Sequence, residues 1–217
     1  RWTNLMEGHE LYCAGHLIEA GVAYYKATGK DRLLNICRHF ADLIDLTFGQ
    51  DKKRGYPGHP EIELALIRLY EVSREERYLS LAGYFLNERG VGNNIFAEEC
   101  KKEGHAFIFP EMAHFEADYF QSHLPVREQN CAAGHAVRAM YLYSAMADFA
   151  RLTDDCEMLK ACERLYENTI SRQMYVTGSV GAAKLGERFS SDYDLPSESA
   201  YAETCAAIGL MLFSSRM

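Results

Sequence analysis

Three times along these 217 residues an apolar helical pattern is followed by a short polar turn and then by a second, more charged helical pattern. In residues 8–28, Leu11, Tyr12, Leu17, Ile18, Val22 and Tyr25 recur at three- and four-residue steps, the spacing of one helix face. Thr28-Gly29-Lys30-Asp31 then predicts a turn in which Thr28 caps the next helix, residues 32–48. Residues 61–72 predict a helix apolar almost all round, through Ile62, Leu64, Leu66, Ile67 and Leu69. Ser73-Arg74-Glu75-Glu76 reads as a capping box leading into residues 78–89. A third copy runs over 135–152, turns at 153–155 and returns over 158–171. Such a chain is expected to be all-α and built of helical hairpins. Apolar helices alternating with amphipathic ones suit concentric layers, the logic of an α/α barrel, and a plain α-solenoid gives the same alternation.

Hydrophobic residues at 48% and aromatics at 12% suffice for a core, and one domain over 1–217 is expected. A net charge of −8 argues against nucleic acid as a partner, and no run of eighteen apolar residues predicts a membrane span. Seven cysteines without framework spacing suit a reducing, cytoplasmic setting, with thiols free or metal-bound. The chain starts at Arg1 rather than Met and stops just past a helix, so the array is expected to be incomplete at both ends. Residues 90–130 read as an elaborated loop with a helical pattern over 115–122, and 174–180 as a short strand. The last helix is expected to expose Ile208, Leu210 and Leu212.

The stretch 186–205, GERFSSDYDLPSESAYAETC, concentrates chemistry. Glu187 and Glu203 stand sixteen residues apart, and Cys205 follows two after the second. Turn formers fill the interval, and a helix is expected over 200–213, with Glu203 and Cys205 in its first turns. An acid on a loop beside a Glu/Cys pair at a helix start could hold a metal. Residues i and i+2 lie about 200° apart on an ideal helix, so such a pair must sit in a non-ideal first turn. The bland alternative is a solvated Glu187, a Glu203 paired with a base and a Cys205 in the core.

Five of the eight histidines directly follow glycine (His9, His16, His59, His105 and His135), where about 0.6 such pairs are expected by chance. His9, His59 and His135 stand at the entrances of the apolar helices. In an α/α barrel those entrances gather around one funnel, and imidazoles that both donate and accept suit sugar hydroxyls. His16, two turns past His9, reads as packing or support, and His39, His114 and His123 as surface or packing residues.

The segments ELYCAGHLIEA, PGHPEIELAL, PVREQNCAAGHAVRA and GERFSSDYDLPSESAYAETCAAIG resemble glycoside hydrolase family 127, the β-L-arabinofuranosidases, over nearly the whole chain. The resemblance implies a fragment of an (α/α)6-barrel catalytic domain, with about seven of its twelve helices. It implies a retaining glycosidase acting on an L-arabinofuranoside, with Zn2+ and a zinc-bound cysteine thiolate as nucleophile. It implies Glu187 as general acid/base, Glu203 and Cys205 as zinc ligands, and His9, His59 and His135 in contact with the sugar. The family takes its nucleophile and a further zinc ligand from an adjacent Cys-Cys pair. Cys13, Cys37, Cys100, Cys131, Cys156 and Cys162 match no such pair, so the expectation is that a missing C-terminal part of the same chain supplies it and that the piece alone is inactive. Two other readings compete. One is a non-catalytic helical scaffold, in which Glu187 would not matter. The other is a zinc-free α/α-barrel sugar enzyme, an epimerase or an unsaturated-uronide hydrolase, which metal content separates.

Overall fold

A computed structural model describes residues 1–102 and 106–217; His105 lies outside the described residues. The chain divides into two compact units, Arg1–Glu88 with Ile95–Ile108, and Arg89–Asn94 with Phe109–Met217. Both are helical, and among the described residues there is no strand, so the all-α hairpin reading holds.

The first unit carries α1 (Glu10–Thr28), α2 (Arg32–Thr47), α3 (Ile62–Ser73), α4 (Glu76–Glu88) and the short α5 (Ile95–Cys100). α1 packs on α2 and α3, and α3 on α4. α3 is buried on nearly every side, from Ile62 through Leu69, as its all-round apolar sequence demands. α2 and α4 bury one stripe each, Leu34, Cys37, Ala41 and Ile44 in the former. The expected turns are present, with two corrections in their chemistry. Thr28 does not cap α2. Its hydroxyl bonds back to Tyr24 O at 2.7 Å, and Gly29, at φ +69, ends α1 by donating to Tyr25 O. Ser73 Oγ accepts from Glu75 N at 3.3 Å, a local turn rather than a reciprocal box.

The second unit carries α6 (Ala136–Thr153), α7 (Cys156–Asn168) and α8 (Thr204–Ser214). α6 is the buried helix and packs on α7 and α8. A Cβ on Gly209 of α8 would stand 2.7 Å from Met140 Cβ, so this glycine lets the two helices approach closely. Asp155 caps α7 through Met158 N at 2.9 Å and pairs with Arg127 at 2.5 Å. The pattern over 115–122 resolves into short 3-10 turns, Pro110–His114 and Ala117–Phe120, with Gln121 left-handed and ending the second.

Two expectations fail in this unit and a third holds only in part. Residues 174–180 form no strand: Gly178, at φ +83, turns the chain so that Tyr175 N reaches Ser179 O. The last helix begins at Thr204, not at 200. Tyr201 N and Ala202 N donate to Ala182 O and Gly181 O, and Ala202 sits at φ +44, so both residues are spent outside a helix. On α8 the exposed apolar residues are Ile208 and Met211; Leu210 is 5% exposed against the core.

Candidate active site

In the second unit a tight hairpin carries the first acid. Ala183 and Arg188 exchange backbone bonds at 3.0 and 3.1 Å, and Glu187 O accepts from Ala136 N at 2.9 Å, pinning the loop to the start of α6. Gly186 and Glu187 are both left-handed, at φ +74 and +51. That backbone turns the Glu187 side chain back over the helix entrance, where His135 Nε2 lies 3.0 Å from Oε2.

The protonation of His135 follows from its other nitrogen. His135 is the N-cap residue of α6, and its Nδ1 accepts from Val137 N at 3.2 Å and Arg138 N at 3.5 Å. A nitrogen that accepts from amides carries no proton, so in the neutral ring the proton sits on Nε2 and is donated to Glu187. Burial pushes the imidazole down to about 4, aided by the Arg138 guanidinium and opposed by Glu187. Arg138 is itself buried, its guanidinium lying 5.0 Å from the Tyr119 ring centre and 5.2 Å from that of Phe120.

Glu187 Oε1 accepts from the Tyr201 hydroxyl at 2.5 Å. This bond pushes the Tyr201 phenol up to about 12. Glu203 is the N-cap residue of α8, with extended backbone at φ −67 and ψ 151. One ligand atom each from His135, Glu187 and Glu203 lie within 4.8 Å of one another. Burial, and then the neighbouring Glu187, raise the Glu203 carboxyl. Cys205 is exposed in the first turn of α8 and is not part of that three-residue group.

His9 and His59 belong to the first unit. Their rings are 5.8 Å apart, and Tyr12 lies edge-on to both, 5.5 Å from His9 and 4.4 Å from His59. His9 Nδ1 meets Glu7 O at 2.5 Å and His59 Nδ1 meets Pro60 O at 2.9 Å. A carbonyl only accepts, so each Nδ1 donates. His9 precedes α1 in a left-handed conformation, φ +53. His16 packs edge-on against Tyr12 at 4.5 Å, with its Nδ1 3.4 Å from the buried Glu61. His39 and His114 are exposed.

The sequence reading missed Tyr201 and Tyr12. A helix begun at 200 places Tyr201 on a different face from Glu203, which hid it. Tyr12 reads as one more apolar position of α1.

Comparisons with known proteins identify the family and the fold. The family described as "Beta-L-arabinofuranosidase, GH127 catalytic domain" matches residues 1–217. The chain is 41% identical over 219 residues to a non-reducing end β-L-arabinofuranosidase of Bifidobacterium longum subsp. longum, covering all of this chain and 33% of that protein. It superimposes with a TM-score of 0.95 on a crystal structure of a GH127 β-L-arabinofuranosidase from Geobacillus stearothermophilus, at 50% identity, covering 100% of this chain and 34% of the other. A second GH127 β-arabinofuranosidase structure gives 0.86 at 40% identity, covering 100% and 31%. The chain thus spans about a third of the length of the relatives it matches. The likeness to these structures fixes the fold class as a fragment of an α/α barrel.

Proposed function

Given that the chain belongs to the β-L-arabinofuranosidase GH127 catalytic-domain family, we propose that it is the acid/base-bearing part of a retaining glycoside hydrolase that releases terminal β-L-arabinofuranose. Glu187 is the general acid/base. It gives a proton to the glycosidic oxygen as the bond breaks and later takes one from the incoming water. The observation that carries this reading is the grip on its carboxyl: one oxygen receives His135 Nε2–H and the other the Tyr201 hydroxyl. A proton-transfer group must be held in register with the bond it serves, and the left-handed Gly186-Glu187 turn does the same at the backbone.

His9 and His59 carry imidazoles, a group that can hydrogen-bond sugar hydroxyls. His135 plays a different part in this reading, since its two nitrogens serve Glu187 and the α6 amides.

Glu203 and Cys205 are the residues that would hold zinc. They offer one oxygen and one sulfur donor, which zinc accepts, and a cation suits the raised Glu203 carboxyl beside Glu187. The non-helical N-cap backbone of Glu203 removes the objection from helix geometry, because only Cys205 lies inside α8. Two donors are fewer than the three or four of known zinc sites, so the set is completed by the adjacent cysteines that the family resemblance implies and these residues lack. Zinc bound there would keep a thiol ionised at neutral pH and so supply a nucleophile.

The test is Glu187→Ala in the full-length enzyme. Hydrolysis of an alkyl β-L-arabinofuranoside should fall by about a thousandfold, and azide should restore turnover of a nitrophenyl glycoside by replacing the base. Unchanged hydrolysis by Glu187→Ala would sink the reading.

A further inference from the structure

The Tyr201 hydroxyl meets Glu187 Oε1 at 2.5 Å across fourteen residues of sequence. The fold goes out of its way to put it there. Tyr201 N and Ala202 N bond to Ala182 O and Gly181 O at the base of the hairpin that carries Glu187. Ala202 takes φ +44, a conformation that side chains disfavour, and α8 starts only at Thr204. Those bonds hold Tyr201 against the Glu187 hairpin.

The two partners of the carboxyl differ in kind. His135 can only donate, because the helix amides occupy Nδ1. A tyrosine hydroxyl can donate or accept. A carboxyl that cycles between acid and carboxylate needs an acceptor oxygen facing His135 in both forms. The proton therefore belongs on the other oxygen, Oε1, beside the one partner that can turn to suit it.

On the reading that Glu187 is the acid/base, we infer that Tyr201 is a positioning residue that holds Oε1 in both protonation states and marks it as the oxygen that carries the catalytic proton. In the first half-reaction the nucleophile bonds to the anomeric carbon and the carbon–oxygen bond breaks. The departing oxygen keeps the electron pair and takes the proton from Oε1, and Tyr201 then donates to the bare carboxylate. In the second, water bonds to the anomeric carbon, the nucleophile leaves with its electron pair, and the water's proton returns to Oε1.

The test compares two leaving groups in the full-length enzyme. Methyl β-L-arabinofuranoside needs a proton on its departing oxygen; the 4-nitrophenyl glycoside scarcely does. Tyr201→Phe keeps the ring and removes the hydroxyl. We expect its kcat/KM to fall about tenfold or more on the methyl glycoside and less than about twofold in the nitrophenyl glycosylation step, with the melting temperature and zinc content of wild type. Equal losses on both substrates, or none on the methyl glycoside, overturn the inference. So does a Tyr201→Phe protein that fails to fold, since the hydroxyl would then be a structural tie. Glu187→Gln run alongside separates the levels. If it spares the methyl glycoside, the acid/base reading itself fails; if it does not and Tyr201→Phe does, only the role of Tyr201 falls.

Discussion

His135 donates through Nε2 to Glu187 Oε2 at 3.0 Å while its Nδ1 caps the helix that it begins. One imidazole thus closes a helix end and orients an acid, and both tasks require the same neutral tautomer. A protonated ring would direct an N–H at Val137 N and Arg138 N and place a charge beside the buried Arg138 guanidinium.

This predicts an acid-side loss of stability. The folded-state value of His135 is about 4 and its ordinary value is 6.5, so between them the unfolded chain binds the proton and the folded one does not. Stability is full above about 6.5 and is lost as pH falls through about 4. Melting temperatures of the full-length protein between pH 7 and 4 should drop less steeply for His135→Gln than for wild type. Parallel curves would mean that His135 does not hold its neutral form as described.

Two glycines of the same backbone class should behave differently. Gly134 is at φ +70, and a Cβ there would stand 2.1 Å from Asp118 O; Gly29 is at φ +69 with nothing within 4 Å. Gly29→Ala meets only the conformational penalty, about 1 kcal/mol. Gly134→Ala adds a backbone collision and should cost about 3 kcal/mol or more, displacing His135 with it. Thermal or denaturant unfolding of both variants checks the ordering.

Metal content tests the zinc donors directly. On the proposed reading, atomic absorption on the full-length protein should give stoichiometric zinc in wild type and much less in Cys205→Ser and Glu203→Gln. Equal zinc in wild type and Cys205→Ser would remove Cys205 from the site.

What could be read from the sequence divides along a physical line. Hairpins were legible because burial imposes a period on α3 and α6 and because Gly29 and Asp154 stand where left-handed helix ends occur. The entrance position of His135 was legible for the same reason. Its tautomer was not, because it depends on which amides lie 3.2 and 3.5 Å from one ring nitrogen. The late start of α8 was hidden because Ser197-Glu198-Ser199 is a plausible cap, and only the pairing of Tyr201 and Ala202 with Gly181 and Ala182 outbids it. Val176 sits in a short apolar run that reads as a strand, yet with Gly178 turning the chain it ends fully exposed.

Two residues of the second unit's site, Glu187 and Ala202, hold left-handed backbones without being glycine. Each such residue costs on the order of 1 kcal/mol or more, and a glycine in its place would relieve it. Selection for thermal stability alone would therefore erode these positions first, replacing the acid at 187 before it touched the buried helices. The chain keeps side chains at both positions against that conformational gradient. Engineering for heat resistance should leave these positions alone and seek its gains elsewhere in the fold.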